Sequence, residues 1–381
     1  MRKAIGFVFV LLATLLGCRT PYEPEVPATE LRVLVVEGYL DTEGLKSELK
    51  LSRTAPLGAS SAFIPELRAK VLLKSASGQV FPLTETGLGT YIFERNIDEK
   101  QSYLLEIELS SGERYVSEGL QPIVTPEIID AGFKLDEEGV EVFVSTQGNA
   151  NADDFLWTFE ETWIFRPRIR TTYIYVPEIK NVRDQKQSEQ TSLCFKTEPS
   201  PGILLETSSR FKDQVVFQKT ITEIPTGDER IMERYSILVS QKGLASKDVP
   251  FWEILKKNTE DIGSIFSPLP SLIGGNIKSL DAAKSPVIGQ VSLGVIRQKR
   301  IYINQVQVSP WNYLDPKFND CAIGEEAILA KDYQAIFGNG AVVPTRPLMV
   351  GTTIVGYYPS SKRCTDCSLY ASKLKPSFWI D

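Results

Sequence analysis

Short runs of residues with a period of two dominate the first third of the chain. They are separated by Gly, Ser and Pro residues and occupy positions 31–36, 49–51, 68–74, 80–83, 89–93, 103–109 and 114–117. Short runs rich in β-branched and aromatic residues, bounded by turn residues, predict strands, and no helical period lies between them. The spacing predicts an immunoglobulin- or transthyretin-like β-sandwich over residues 30–127.

A second alternating pattern begins near residue 128 and predicts a larger β-rich domain over residues 128–381. Its strongest run is 155–165, where one strand face carries five aromatic residues and one carboxylate. The residues of this face are Phe155, Trp157, Phe159, Glu161, Trp163 and Phe165. So large an apolar face has to be buried, either against a second sheet, which we favour, or against a partner protein.

The larger domain is expected to hold one or two short helices, and one of them is well marked. Asp248 can cap it, Pro250 suits its first turn, and Phe251, Ile254 and Leu255 fall on one face. Residues 180–189 are charged and unpatterned, which predicts an exposed loop, and residues 307–345 are expected to be mostly loop. The fold class is therefore mainly β.

The amino terminus has the pattern of an export signal. Arg2 and Lys3 precede an apolar run over 4–17, which predicts a signal peptide over residues 1–17. The run is shorter than the roughly 20 residues that a transmembrane helix needs. Leu-x-Gly-Cys at its end resembles a bacterial lipobox, so Cys18 is expected to carry covalent lipid; the alternative is an ordinary signal peptide that contains a cysteine. The proline-rich residues 18–29 are expected to form a lipidated tether.

Composition narrows the classes of function. The 381 residues carry a net charge of −6, which does not favour binding to nucleic acid by charge. Histidine is absent, which removes the Ser-His-Asp and Cys-His nucleophile systems and the commonest metal ligand. We therefore predict no catalytic residues, no metal and no cofactor apart from the lipid.

Carboxylates leave two alternatives open. A hydrolase such as a glycosidase could use Asp153, Glu160 or Glu161, but it needs two carboxyl groups about 5–10 Å apart in one cleft. Glu160 and Glu161 are adjacent on a predicted strand and so point to opposite faces. Residues 149–153 have the alternating oxygen ligands of a calcium loop but lack its glycine and its distal glutamate.

Four cysteines remain after Cys18. An even number in an exported protein predicts two disulfides among Cys194, Cys321, Cys364 and Cys367. A four-thiolate zinc site and a redox-active C-x-x-C are the alternatives. We expect Cys364 and Cys367 to bond to the two distant cysteines, although the spacing does not decide the connectivity. Phe378 and Trp379 are then expected to pack into the core.

Several segments together resemble a known family. In chain order they are LRVLVVEGYL at 31–40, FEETWIF at 159–165, YSILVSQKGLAS at 235–246, FWEIL at 251–255, SIFSPLPSLIGGNI at 264–277 and CTDC at 364–367 with KPSFW before the end. With the lipobox, this order resembles the uncharacterised Bacteroidota outer-membrane lipoproteins catalogued as domain of unknown function 4249. The resemblance implies a lipoprotein often encoded beside a TonB-dependent transporter, with no established activity.

The resulting hypothesis is a non-enzymatic lipoprotein that is anchored in the outer membrane, on its periplasmic face or at the cell surface. It would be a binding or accessory partner of a TonB-dependent transporter in nutrient uptake. The alternatives are a carboxylate-dependent hydrolase and a structural role in envelope assembly.

Cys18→Ala is predicted to release the protein from membranes, because lipid on this thiol is its expected anchor. The measurement is fractionation after a carbonate wash, with Thr20→Ala as a control that keeps the lipobox. Retention of the Cys18→Ala protein in the membrane fraction would contradict anchoring at this residue.

Overall fold

A computed structural model of the protein describes residues 32–55, 63–260, 274–281, 287–313 and 316–380. The predicted signal peptide, the tether and Cys18 lie outside the described residues. The fold is mainly β, with 51% strand and 13% helix, which confirms the predicted fold class.

The described residues form 24 strands and three short α-helices. The first nine strands are β1 (Leu34–Asp41), β2 (Ser47–Thr54), β3 (Phe63–Pro65), β4 (Lys70–Ser75), β5 (Val80–Pro82), β6 (Thr84–Gly87), β7 (Thr90–Phe93), β8 (Tyr103–Glu108) and β9 (Arg114–Ser117). The next nine are β10 (Ile128–Leu135), β11 (Gly139–Gln147), β12 (Asp154–Phe165), β13 (Tyr173–Val176), β14 (Asn181–Asp184), β15 (Cys194–Pro199), β16 (Leu204–Thr207), β17 (Val215–Pro225) and β18 (Arg234–Leu244). The last six are β19 (Ile277–Ser279), β20 (Val287–Gly294), β21 (Ile296–Asn304), β22 (Ile328–Leu329), β23 (Val342–Val350) and β24 (Thr353–Ser361). The helices are α1 (Val249–Glu260), α2 (Tyr333–Phe337) and α3 (Lys362–Thr365), and α1 confirms the helix predicted near residue 250.

Two sheets pack face to face in the N-terminal sandwich. One has the order β20-β1-β2-β7-β6, with β3 beside β2, and the other has the order β19-β9-β8-β4-β5. Inward residues alternate along each strand, as the period of two predicts. The buried core between the sheets includes Leu34, Val36, Leu49, Leu51, Val71, Leu73, Leu105, Ile107, Val291 and Leu293.

The N-terminal sandwich is not contiguous in sequence. Strands β19 and β20 belong to it, although the sequence-based division assigned residues 277–294 to the larger domain. β20 runs parallel to β1, with Gly289 opposite Val36. A Cβ on Gly289 would lie 2.1 Å from the Val36 carbonyl oxygen, so glycine permits this close approach. Alternation along β20 marks a strand but does not identify its partner, so the pattern alone could not place it here.

A second sandwich contains the aromatic strand β12. Its sheets have the orders β10-β11-β17 and β15-β12-β18-β21, with β16 beside the first half of β12. All six residues of the predicted aromatic face are buried, which confirms that this face is packed inside the protein. The indole Nε1 of Trp157 donates to Gln241 Oε1 at 2.9 Å within the core. The core between the two sheets is thus built from the aromatic and aliphatic residues that the alternating pattern places on one face of each strand.

The carboxylate in this aromatic face accepts hydrogen bonds from two side chains. The Tyr235 hydroxyl donates to Glu161 Oε1 at 2.7 Å, and Arg230 Nη1 donates to the same oxygen at 2.8 Å. Burial, and then the charge of Glu161, raise the pKa of Tyr235. Burial disfavours the charge on Arg230, but its bonds with Asp228 and Glu161 outweigh this and raise its pKa. Glu161 is therefore one member of a buried ion cluster.

A smaller third layer follows. Strands β22-β24-β23 form one sheet and β13-β14 form a hairpin, and α2 packs on both. The prediction of an exposed loop over 180–189 is wrong for residues 181–184, which form β14. Val182 is buried there, while its neighbours are mostly exposed. One apolar residue in ten gives no detectable period, so the strand depends on pairing with β13.

The C-terminal segment is joined to the second sandwich by covalent bonds and by aromatic packing. Cys194 bonds to Cys367 and Cys321 bonds to Cys364, with Cα atoms 5.8 and 5.6 Å apart. This confirms the two predicted disulfides and the expected long-range pairing. Trp379 is buried against Phe195, with ring centroids 5.1 Å apart.

Trp379→Ala is predicted to lower the free energy of unfolding by about 3–5 kcal/mol, because it empties a buried aromatic site. Removing residues 364–381 also breaks both disulfides, and the loss of one such bond costs about 2–5 kcal/mol. Urea unfolding at equilibrium measures both effects. Leu374→Ala is the control, since this side chain is 81% exposed. Midpoints for Trp379→Ala that match the parent would contradict a structural role for the tail.

Glu161→Gln is predicted to lower the free energy of unfolding by about 1.5–3 kcal/mol, since it replaces a charged acceptor of the Arg230 and Tyr235 donors by a neutral one and leaves Asp228 as the ion-pair partner of Arg230. The adjacent Glu160 is exposed and points to the other face, so Glu160→Gln should change it by less than about 0.5 kcal/mol. The two variants are compared by urea unfolding at neutral pH. Equal midpoints would show that the cluster contributes nothing to stability.

Candidate functional site

A cavity of about 440 Å³ lies where the two sandwiches meet. One wall is the outer face of β1 and β2, and the other wall is the outer face of β12, β18 and β21. Trp252 of α1 and Ile203, which precedes β16, complete the lining. We call this space the junction cavity.

The alternation of side chains along each strand determines which residues line the cavity. Along β12 the odd positions fill the core of the second sandwich, so Leu156 and Thr158 face outward into the cavity. Register then brings Lys242 opposite Leu156, and Ser240 opposite Thr158. The same pattern that buries the aromatic face therefore builds the cavity wall on the reverse face of the sheet.

Close backbone contacts hold the two sandwiches together beside the cavity. The Tyr39 hydroxyl donates to the Gly243 carbonyl at 3.1 Å, and the Gly243 amide donates to Thr125 Oγ1 at 2.8 Å. The buried Asp41 carboxylate accepts from the Ile296 amide at 2.8 Å. A Cβ on Gly294 would lie 2.3 Å from the Ile123 carbonyl oxygen, so this position requires glycine. These contacts fix the walls relative to one another.

Apolar side chains make up much of the junction. Tyr39, Leu156 and Leu244 are buried there, and the residues packed against them are Ile203, Leu205, Val249, Trp252 and Ile296. Burial raises the pKa of Tyr39, so its hydroxyl stays protonated and remains a donor at neutral pH. The lining of the cavity thus combines apolar side chains with several polar and charged ones, and small-molecule sites use such polar groups to orient a ligand.

Lys242 is the distinctive polar group of the cavity. Its Nζ donates to Thr158 Oγ1 at 3.2 Å and lies 5.9 Å from the centroid of the Tyr39 ring. Within the described part of the chain, no carboxylate forms an ion pair with it. Burial, and then the charge of Lys50, lower the pKa of Lys242 to about 8. A lysine in this setting gains from any anion that reaches it.

A second donor in the lining is also unsatisfied. The indole Nε1 of Trp252 is buried and has no hydrogen-bond partner. A buried donor without an acceptor costs free energy comparable to a lost hydrogen bond. Because this atom has almost no accessible surface, it is an unpaired donor in the packing behind the lining, and Lys242 is the charged donor that faces the cavity.

The carboxylates considered for a hydrolase are not brought together. Glu161 is held in the buried cluster with Arg230 and Tyr235, and Glu160 is exposed on the opposite face of β12. The backbone carbonyl of Asp153 accepts from the Ser208 amide at 2.7 Å, in the loop before β12. None of these three carboxylates lines the junction cavity.

The residues considered for calcium and for zinc have other roles in the structure. Asn149 Oδ1 accepts from the amides of Asn151 and Ala152 at 2.9 and 3.1 Å, so this oxygen closes a turn. The four cysteines considered for zinc or redox chemistry are joined in disulfides. Across the described ranges, no three His, Cys, Asp or Glu side chains form a metal-ligating group. Every described helix is too short or too polar to cross a bilayer.

Sequence reasoning missed Lys242 and Trp252. Lys242 stands in the strand pattern YSILVSQKGL at an outward position that it shares with Ser236 and Ser240. A lysine on the polar face of an alternating strand is ordinary, so the sequence gave no signal for it. The position of Trp252 gave none, since an aromatic residue on one face of a helix is ordinary core material.

The chain was compared with curated proteins, with solved structures and with protein-family models. None of the curated proteins matches the chain. Sixteen chains of solved structures match, among them a pullulanase complexed with maltotriose from Anoxybacillus sp. LM18-11. That match has 12% identity and a TM-score of 0.15, covers 54% of this chain and spans 24% of the pullulanase chain, so it supports no argument. A family model described as "Domain of unknown function (DUF4249)" matches residues 19–300, which is most of the chain. The protein therefore belongs to the DUF4249 family.

Proposed function

We propose that this protein is a non-enzymatic binding lipoprotein of the outer membrane, and that it works with a TonB-dependent transporter in nutrient uptake. The observation that carries the binding role is the junction cavity. Its volume of about 440 Å³ falls within the range of roughly 300–1,000 Å³ typical of small-molecule sites. Its place between two packed units is also one where such sites are common.

The construction of the cavity supports binding more than an accidental gap. Its walls are strands whose reverse faces are buried in two separate cores, so the lining residues are held by the fold. The bonds of Tyr39, Thr125 and Asp41 fix one wall against the other. A ligand would meet a preformed surface and would not have to order a loop before binding.

The anchoring and transporter parts of the proposal rest on the amino terminus and on the family. Cys18 follows the lipobox-like Leu-x-Gly sequence, and the family resemblance implies a transporter encoded nearby. A lipid-anchored protein confined to the membrane plane meets a membrane partner at high effective concentration. Anchoring in the same membrane would therefore favour the association of an accessory binding protein with its transporter.

Native affinity purification tests the partnership. Full-length tagged protein is expected to co-purify from solubilised outer membranes with a TonB-dependent transporter, and Cys18→Ala is expected to lose most of this recovery. Recovery of both proteins is measured by mass spectrometry. A wild-type preparation that contains no such transporter would contradict the proposed partnership.

Blocking the cavity tests whether it serves uptake. Ser240→Trp places an indole in the junction cavity, and it should fail to restore growth of a deletion strain on the nutrient that the co-purified transporter imports. Ser111→Trp, on the exposed turn between β8 and β9, is the matched control and should restore growth. Equal growth of the two strains, with equal amounts of protein, would refute a role for the cavity.

A further inference from the structure

We infer that the junction cavity binds a small molecule with an apolar body and an acidic group, and that the acidic group is seated against Lys242. This inference rests on the proposed binding function and names the chemical class of the ligand. Carboxylates and phosphate monoesters share the chemistry that would satisfy this site.

The distribution of charge favours an anion. Two carboxylates face the cavity, Glu37 on β1 and Glu48 on β2, and both residues are exposed at its rim. Lys50 lies opposite Glu37 in the β1–β2 register, so these two charges are neighbours. The inner wall instead carries Lys242, which has no carboxylate partner among the described residues. The rim is thus mixed in charge, while the interior is cationic.

The cost of leaving Lys242 unpaired gives the site its driving force. Moving an ammonium group from water into a partly apolar cavity is unfavourable, and Thr158 Oγ1 supplies one neutral acceptor at 3.2 Å. An anionic group beside Nζ would replace the lost hydration with a charge-assisted bond, which is stronger than a neutral one. A neutral ligand of the same shape would not compensate for the lost hydration of the ammonium group.

The remaining lining fits the apolar body of such a ligand. Leu156, Ile203 and Ile296 present aliphatic surface, and the rings of Tyr39 and Trp252 present aromatic surface. Lys242 supplies the charged donor, and these side chains supply the apolar surface against which the body of the ligand would lie.

The pH dependence gives a signature that a purely structural role would not produce. The pKa of Lys242 is about 8, so the cation is present at pH 7 and is largely lost by pH 9.5 in the empty site. Anion binding favours the protonated amine, so affinity should fall as pH rises through this range. The other charged or titratable groups facing it are Glu37, Tyr39, Lys46, Glu48 and Lys50. Burial raises the pKa of Tyr39, which keeps its hydroxyl protonated over the same interval.

The test uses the purified chain and the fluorescent anion 8-anilinonaphthalene-1-sulfonate as probe. Ser240→Trp, which fills the cavity, should abolish the enhanced fluorescence that arises there. Phenylacetate and phenyl phosphate should then displace the probe from the wild-type protein, and 2-phenylethanol should not. Comparison of the two acids identifies which acidic group the site prefers.

Substitutions at Lys242 decide the inference. Lys242→Met keeps the apolar stem and should weaken the binding of the probe by at least about tenfold, whereas Lys242→Arg should retain binding. Lys299→Met, an exposed lysine on β21, is the matched control and should bind as the parent does. If Lys242→Met does not fold, the loss of wild-type affinity between pH 7 and 9.5 provides the same test.

The outcomes separate this inference from the function on which it rests. Displacement by 2-phenylethanol as effective as by phenylacetate, or a Lys242→Met protein that binds like the parent, would overturn the anionic class but keep a binding cavity. A wild-type protein with no probe signal sensitive to Ser240→Trp would overturn both. Loss of the transporter from native preparations would refute the partnership and leave the ligand class standing.

Discussion

The structure depends on one strand that is buried on both faces. β12 is 12 residues long, and nearly all of its side chains are buried. Its aromatic face forms the core of the second sandwich. Its other face carries Leu156 and Thr158 at the junction cavity and Ile164 beneath the C-terminal tail. A strand that packs on both sides couples the elements it touches, so the core, the cavity wall and the docking of the tail share one support.

The junction between the sandwiches follows from this support. β18 pairs with β12 over its length and presents the Gly243 backbone to Tyr39 of the N-terminal sandwich. Glycine at 243 and 294 lets the backbones approach where any Cβ would collide with residues 123–125 or with Tyr39. Because the chain returns through β20 to complete the first sandwich, the two units are also joined by their topology. The cavity between them is consequently framed by rigid walls.

Glu161 and Lys242 lie on opposite faces of the same sheet, and the protein compensates their charges to different extents. Glu161 is surrounded by donors from Arg230 and Tyr235, so its charge is satisfied within the protein. Lys242 has one neutral acceptor, and burial lowers its pKa. A satisfied buried charge contributes to specificity of packing, whereas an unsatisfied one beside a cavity marks a site for a ligand. This contrast is the physical reason why we describe Glu161 as structural and propose Lys242 as a ligand contact.

The sequence by itself determined the local features whose signals repeat along the chain. Alternation identified most of the strands, the burial of the β12 aromatic face and the helix after Asp248, because period and composition depend on neighbouring residues alone. The cysteine count predicted two disulfides. Tertiary structure alone decided that β20 pairs with β1, that Cys194 bonds to Cys367, and that Lys242 and Trp252 line one cavity. These contacts join residues far apart in the chain, and a one-dimensional pattern specifies which face is buried but not what covers it.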